Sequence, residues 1–199
     1  MRNLRRLTAL TAVALAALAL SAASASAEIV DPVSGDPYVG EVFAWDTGFD
    51  DPNFETSSAT ITCQGANTRG TIDGNAPATG ELDFDWSFCT TAGGTVNCLV
   101  NPINGVSVAF DESPAAPDFD IINTERAETF IWCGAVFGCT ASSDPWNGSE
   151  FAADVDGGPF PRMTIDDVVN FSGVGCPSTG TWNAQYQITV PSDGLESNN

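Results

Sequence analysis

The sequence predicts an all-β fold, an antiparallel β-sandwich stabilised by disulfides, with a closed or partly closed β-barrel as the alternative. Apolar and polar residues alternate over many short segments, which glycine, proline and asparagine separate. No segment has the period of an amphipathic helix, and the chain has six cysteines, an even number. Roughly nine or ten short strands of this kind are typical of a single two-layered domain.

Residues 1–27 are typical of a secretory signal peptide. A basic start is followed by an apolar run from Leu7 to Leu20 and by the small residues Ala25, Ser26 and Ala27. The apolar run is shorter than the ~20 residues that a membrane-spanning helix needs. We therefore expect cleavage after Ala27, a single secreted β domain over residues 28–199, and no attachment to a membrane.

The first strands are predicted between residues 39 and 63. Over residues 39–45, Phe43 and Trp45 lie on the predicted core face, and Glu41 is a charged interruption on that face. Residues 56–63 are rich in β-branched side chains, which favour a strand.

The clearest strand runs from Glu81 to Cys89. Every second residue there is large and apolar, which predicts one face on the core; these residues are Leu82, Phe84, Trp86 and Phe88. The Gly93-Gly94 pair permits the positive φ angles of a tight hairpin, so the next strand covers residues 95–100. Counting outward from the two glycines places Cys89 opposite Cys98.

The rest of the chain continues the alternation. Strands are predicted over residues 106–110, 118–123, 129–133, 151–155, 163–171 and 181–190. Trp132 and Trp182 are predicted on core faces. Trp146 has polar, turn-forming neighbours instead, and an exposed tryptophan is a common anchor of a binding surface. Trp146 is therefore the candidate ligand-binding residue.

Composition excludes several classes of partner. The chain has 26 acids, 6 arginines, no lysine and no histidine, and its net charge is −20. Loss of the leader would remove three arginines and bring the net charge to −23. Such a surface repels nucleic acid and anionic lipid, whereas a cation, a sugar or a basic partner remains compatible with it. The simplest role of the acids is solubility outside the cell.

The sequence offers little catalytic chemistry. Without histidine there is no Ser-His-Asp arrangement, and without lysine there is no Schiff base. A glycoside hydrolase needs only two acids beside aromatic platforms, but 26 acids bring such a pair together by chance. We therefore expect a non-enzymatic binding or surface-interaction module for an extracellular polysaccharide or cell-surface component. The alternative is a carboxylate-based hydrolase of extracellular polysaccharide.

A calcium site is a further candidate. Asp154 and Asp156 precede two glycines, as in the first residues of an acidic metal loop. An EF-hand would need a glutamate at the twelfth position, where the chain has Ile165. We therefore expect Asp154 and Asp156 to form a weak β-loop calcium site rather than an EF-hand, against the simpler alternative of solvated acids.

The six cysteines predict three disulfides in an oxidising compartment; they are Cys63, Cys89, Cys98, Cys133, Cys139 and Cys176. The hairpin count favours a Cys89–Cys98 bridge, with Cys63–Cys133 as its companion. Pairs that close longer loops restrain the unfolded chain more. The residues alone therefore leave open whether Cys89 pairs with Cys98 or with a cysteine further away in the chain.

Short cysteine motifs resemble those of a loose group of small secreted bacterial proteins of unknown function. The motifs are Thr62-Cys63, Phe88-Cys89, Gly138-Cys139, Gly175-Cys176 and the segment from Trp182 to Ile188. The resemblance implies Cys63–Cys89 and Cys139–Cys176 bridges and implies no activity. Cys98 and Cys133 are additions to its pattern. We expect these two to pair with each other, with Cys89–Cys98 and Cys63–Cys133 as the alternative.

Overall fold

The computed structural model describes residues 27–46, 51–75, 77–113, 117–135, 137–147 and 150–198. The predicted leader lies outside these residues except for Ala27, which is buried. The N–H of Ala27 donates to the carbonyl oxygen of Phe110 over 2.9 Å. Cleavage after Ala27 would remove this contact, and the cleavage position stays a prediction.

The described chain is almost entirely β-strand. Its strands are β1 (Ile29–Val30), β2 (Gly40–Asp46), β3 (Asn53–Thr56), β4 (Thr60–Asn75), β5 (Ala78–Thr91), β6 (Asn97–Val100), β7 (Ile103–Glu112), β8 (Phe119–Asn123), β9 (Ala127–Trp132), β10 (Gly138–Ser143), β11 (Ala152–Asp156), β12 (Arg162–Ser172), β13 (Thr179–Val190) and β14 (Glu196–Ser197). A 3₁₀ turn covers Pro145–Asn147. No helix within the described ranges is long and apolar enough to cross a bilayer.

Twelve of these fourteen strands form two antiparallel layers around one core, and β1 pairs with β14 in a separate two-stranded sheet. In the first layer, β12, β13, β4 and β5 are long, and β2 and β3 lie end to end between β13 and β4. The second layer consists of two three-stranded groups, β7-β8-β11 and β6-β9-β10. Each group pairs with β5 at one side and with β12 at the other. The predicted all-β, antiparallel, disulfide-stabilised fold is confirmed, and its sandwich-like layers are hydrogen-bonded to each other along both edges.

Aromatic side chains fill the centre of the core. Trp182 is buried, and its ring centroid lies 5.0 Å from that of Phe84, 5.6 Å from that of Phe151 and 5.9 Å from that of Phe54. Trp86 is partly buried against the same cluster. The alternation therefore identified the core face of β5 correctly as far as Trp86, and that of β13 correctly at Trp182.

The core predictions for Trp45 and Trp132 are wrong. Trp45 is 54% exposed and Trp132 is 51% exposed. In β2 the small residues Val42 and Ala44 face the core, so the large ones face solvent. The period of two is present as predicted, but its phase is reversed, because the aromatic centre of the core leaves space only for small side chains there.

Four of the six cysteines lie in one row across four neighbouring strands. Cys63 on β4 is opposite Cys89 on β5, and Cys89 is opposite Cys98 on β6. The next register pair, Leu99 with Trp132, places Cys98 beside Cys133. Cys89 therefore has a cysteine on each side, and the hairpin count was right about its neighbour on β6.

The disulfides join Cys63 to Cys89, Cys98 to Cys133 and Cys139 to Cys176. This is the expected set, and the alternative with a Cys89–Cys98 bridge is not present. In the first two bridges the Cα atoms are 3.9 Å and 4.2 Å apart, which is close to the spacing of directly opposed residues in antiparallel strands. Three disulfides are compatible with an extracellular protein.

Candidate functional site

Large apolar side chains form a row on the outer face of β5, β6 and β9. Leu99 is the register partner of Trp132. Phe88 comes one residue before Cys89 and Leu99 one residue after Cys98, so the Cys89–Cys98 register places Phe88 beside Leu99. Phe130 lies two residues before Trp132 on the same face of β9. We call these four exposed residues the apolar ridge.

The backbone of Phe88 turns its side chain out of the protein. Strict alternation would place Phe88 on the core face, and that prediction is wrong because its φ is 53°, which brings Cys89 into the core instead. Phe88 is the one non-glycine residue with a positive φ in the described part of the chain, and it is 79% exposed. A left-handed conformation costs an L-residue roughly 1–2 kcal/mol. Phe88 therefore combines a strained backbone with an aromatic ring in water.

The ridge lies on a rigid support. Trp132 is the register partner of Gly138 on β10, and its Cδ1 atom lies 3.6 Å from the position that a Cβ atom of Gly138 would occupy. The indole therefore lies along β10 within ordinary van der Waals distance of that position. On the opposite face of the same strands, two disulfides cross-link β4 to β5 and β6 to β9. The second bridge restrains the two strands that carry Leu99 and Trp132, and the first restrains the strand that carries Phe88.

Trp146, the candidate from the sequence, is also exposed. It lies in the 3₁₀ turn after β10 and is 85% exposed. Its backbone N–H donates a hydrogen bond to Asp144 Oδ1 over 3.0 Å. The structure does not bring Trp146 into the row of ridge residues. It remains a candidate in its own right.

Carboxylates occupy the outer face of β7, β8 and β11. Asp120 is the register partner of Asp111 on one side and of Asp154 on the other. Asp156 lies two residues after Asp154 on the same exposed face, and the carboxylate of Asp118 accepts a hydrogen bond from the N–H of Gly157 over 3.1 Å. This acidic face includes both predicted calcium ligands. No group of three or more Asp, Glu, Cys or His side chains within the described ranges has an arrangement that could hold a metal ion.

Asp120 has a raised pKa. Burial, a hydrogen bond with the carboxyl group of Asp154, and the charges of Asp154, Asp111 and Asp118 raise the pKa of Asp120 to about 6. Two hydrogen-bonded carboxyl groups are closer together than the separation of about 5 Å or more that the acid pair of a glycoside hydrolase needs. Asp120 and Asp154 therefore do not have the spacing of such a pair.

The raised pKa predicts an unusual pH dependence of stability. Between about pH 4 and pH 6, folded Asp120 holds a proton that the unfolded chain releases, so its contribution to stability falls as the pH rises through this window. Solvent screening at this partly exposed site limits the loss at pH 7 to about 1 kcal/mol. We expect Asp120→Asn to raise the melting temperature at pH 7 and to change it little at pH 4.

Asp36→Asn is the control for this prediction, because Asp36 is an exposed acid on another part of the chain and the charge change is the same. Thermal unfolding of both variants from pH 4 to pH 7 measures the effect. An equal gain at pH 7 in both variants would attribute it to the net charge of the whole protein rather than to the acidic face.

The sequence pattern places two of the four ridge residues, Phe88 and Trp132, on core faces and does not single out the other two, Leu99 and Phe130. A signal for the correct assignment was present on β9, where Glu128 shares a face with Phe130 and Trp132. The same signal was present on β2, where Glu41 shares a face with Phe43 and Trp45. A charged residue in phase with aromatic ones marks a solvent-facing side. For Phe88 the alternation carries no such signal.

Searches with protein-family models, against curated proteins and against solved structures found no match to this chain. The function of these surfaces therefore has to be argued from their own residues.

Proposed function

We propose that this chain is an exported, non-enzymatic binding module that attaches to an extracellular polysaccharide or a cell-surface component through the apolar ridge. One observation carries the proposal: Phe88 is held in solvent by a left-handed backbone, beside Leu99 and in line with Trp132. Strain and exposure both cost free energy in the unbound protein. Costs of this kind are typical of functional positions.

The ridge has the properties of a binding surface. Its side chains are aromatic or apolar, and contact with a ligand would remove them from water. The disulfides beneath it limit the conformational entropy that binding would cost. The neighbouring outer-face residues are polar, as at the rim of an interface.

Adsorption to insoluble polymers tests this function. The probes are cellulose, chitin and purified peptidoglycan, and the bound fraction is measured after centrifugation. We expect Trp132→Ala to weaken adsorption by about tenfold or more, since buried aromatic anchors carry most of the energy of an interface. Phe160→Ala is the control, because Phe160 is also an exposed aromatic residue but lies outside the ridge.

Phe88→Gly separates a binding role from a structural one. Glycine adopts a positive φ without strain, so this variant should fold with unchanged or higher stability. It should nevertheless adsorb less, because the ring is gone. Unchanged adsorption in both Phe88→Gly and Trp132→Ala would contradict a role for the ridge. If Trp146→Ala alone reduced adsorption, the binding surface would be the 3₁₀ turn.

The hydrolase alternative is examined with the same polymers. Soluble sugars in the supernatant are measured over time for the wild type and for Asp120→Asn. Retention without released sugar supports the binding module. Release of oligosaccharides by the wild type would make the hydrolase correct.

The proposal includes weak binding of calcium by Asp154 and Asp156 on the acidic face. A divalent cation beside Asp154 would relieve the repulsion between the acids of this face, and a ligand that binds only the folded state stabilises it. We expect millimolar calcium to raise the melting temperature more than magnesium does at equal ionic strength. The difference should vanish in an Asp154→Asn/Asp156→Asn variant. Equal shifts with both ions would indicate screening of the net charge alone.

A further inference from the structure

We propose that the outer face of β13, β2, β4 and β5 carries a second binding site, centred on Trp45, for a neutral polysaccharide chain. Trp45 is the register partner of Gln187 on one side and of Asn67 on the other, and Asn67 is opposite Asp85. These four residues form one row across four strands, which we call the Trp45 row. The proposal does not depend on the ridge or on its ligand.

The Trp45 row combines an aromatic surface with unused polar groups. Trp45 is 54% exposed, and the edge-to-face contact with Phe43, 4.8 Å between ring centroids, fixes the orientation of its indole. Gln187, Asn67 and Asp85 are partly exposed on the same face. Within the described ranges their side chains form no hydrogen bond with another residue, and each carries donors or acceptors that could bind a hydroxyl group.

A parallel row lies beside it. Phe43 is the register partner of Val190 and of Arg69, and Arg69 is opposite Asp83. Arg69 Nε donates to Asp83 Oδ2 over 3.2 Å, and the N–H of Gly105 donates to Asp83 Oδ1 over 2.7 Å. A shallow groove runs along these side chains. The ion pair places hydrogen-bonding groups at the side of Trp45, and its two charges cancel, while Glu41 adds one acid to the lining of the groove.

This chemistry matches a sugar better than the other partners that the charge of the chain allows. The apolar C–H face of a pyranose ring packs on an aromatic ring, while carboxamide and carboxylate groups bind its hydroxyls. Asp85 is the one charged member of the Trp45 row, and Asp83 in the neighbouring row is already paired with Arg69, so the acids nearest the indole offer a basic peptide little. An anionic polymer would be repelled by the net charge of −20.

The dimensions point to a chain of sugars rather than a single one. Hydrogen-bonded strands lie about 4.8 Å apart, so the row of four side chains spans about 14 Å across the sheet. This length exceeds one pyranose ring. The site lies on an open sheet face and not in a closed pocket, which suits binding along a polymer rather than at its end.

Soluble oligosaccharides test this site separately from adsorption to insoluble polymers. Hexasaccharides of β-1,4-glucan, β-1,3-glucan, xylan and chitin are titrated at millimolar concentrations, and binding is measured by calorimetry and by tryptophan fluorescence. We expect at least one neutral hexasaccharide to bind, and Trp45→Ala to weaken its binding by about tenfold or more. Trp45→Phe keeps an aromatic surface and should retain part of the affinity. Asp85→Asn should lower the affinity less than Trp45→Ala does.

Trp132→Ala is the matched control, because Trp132 is exposed to a similar degree but lies in the ridge. It should leave hexasaccharide binding unchanged, and thermal unfolding should show that both variants are folded. Three outcomes would overturn the proposal: no binding of any neutral hexasaccharide, equal loss in Trp45→Ala and Trp132→Ala, or tighter binding of a lysine-rich peptide than of every sugar. Loss of adsorption in Trp132→Ala with intact hexasaccharide binding would support both surfaces independently.

Discussion

Trp182→Ala is expected to lower the free energy of unfolding by about 3–5 kcal/mol, the usual cost of removing a large aromatic side chain from a well-packed core. Trp182 is buried and its ring contacts those of Phe54, Phe84, Trp86 and Phe151. Alanine would leave a cavity at the point where the two layers meet. The loss should appear as a lower denaturant midpoint in equilibrium unfolding.

Trp146→Ala is the matched control, because it removes the same side chain from an exposed position. We expect it to change stability by less than about 0.5 kcal/mol. Trp182→Phe should cost less than Trp182→Ala, since the ring volume is partly kept and the buried indole N–H, which has no hydrogen-bond partner among the described residues, is removed. Equal losses for Trp146→Ala and Trp182→Ala would mean that Trp146 belongs to the core.

Removal of the Cys63–Cys89 bridge should produce a loss of similar size. The bridge joins residues 26 positions apart, for which the chain-entropy model gives about 3.5 kcal/mol. For a domain of this length, we expect Cys63→Ser/Cys89→Ser to melt about 7–14 °C below the wild type. A melting temperature equal to that of the wild type would contradict the assignment of this bridge as a major restraint.

The single variant Cys63→Ser tests the row of cysteines itself. It leaves a thiol on Cys89 beside the Cys98–Cys133 bridge, and the thiolate of Cys89 can attack Cys98 Sγ and release the thiol of Cys133. We expect part of the protein to acquire a Cys89–Cys98 bridge, which peptide mapping without reductant detects. If Cys98 stays linked to Cys133 in all molecules, the Cys89 thiol and this bridge are held too rigidly to exchange.

Local patterns were sufficient for most of the strands, for the exposure of Trp146 and for the register of the hairpin, but they did not predict β3, β10 or the full length of β4. The period of two identified β5 and β13, because one face of each strand is buried in the core and the other faces solvent. The two glycines after β5 set the pairing of Thr90 with Asn97, because a tight turn leaves only one register. The bridges themselves could not be obtained from that count, since Cys89 has a cysteine on either side and only loop length and the resemblance favour Cys63.

The candidate surfaces could not be predicted, because alternation says which residues share a face and not which face is inside. The rule that large apolar residues are usually buried places Trp45 and Trp132 in the core. In the folded chain, aromatic rings from β5 and β13 already occupy the centre, so β2 and β9 turn their smaller residues inward.

By itself the sequence determined the fold class, the positions of most strands and the absence of histidine and lysine chemistry. Turn residues and side-chain period act over a few residues, so they can be interpreted without knowing the rest of the chain. The tertiary structure alone decided that Phe88 leaves the core, that Leu99 and Trp132 lie in line with it on the next two strands, and that Trp45 lies among polar groups. These contacts join residues far apart in the chain, and they depend on how two layers share one limited core volume.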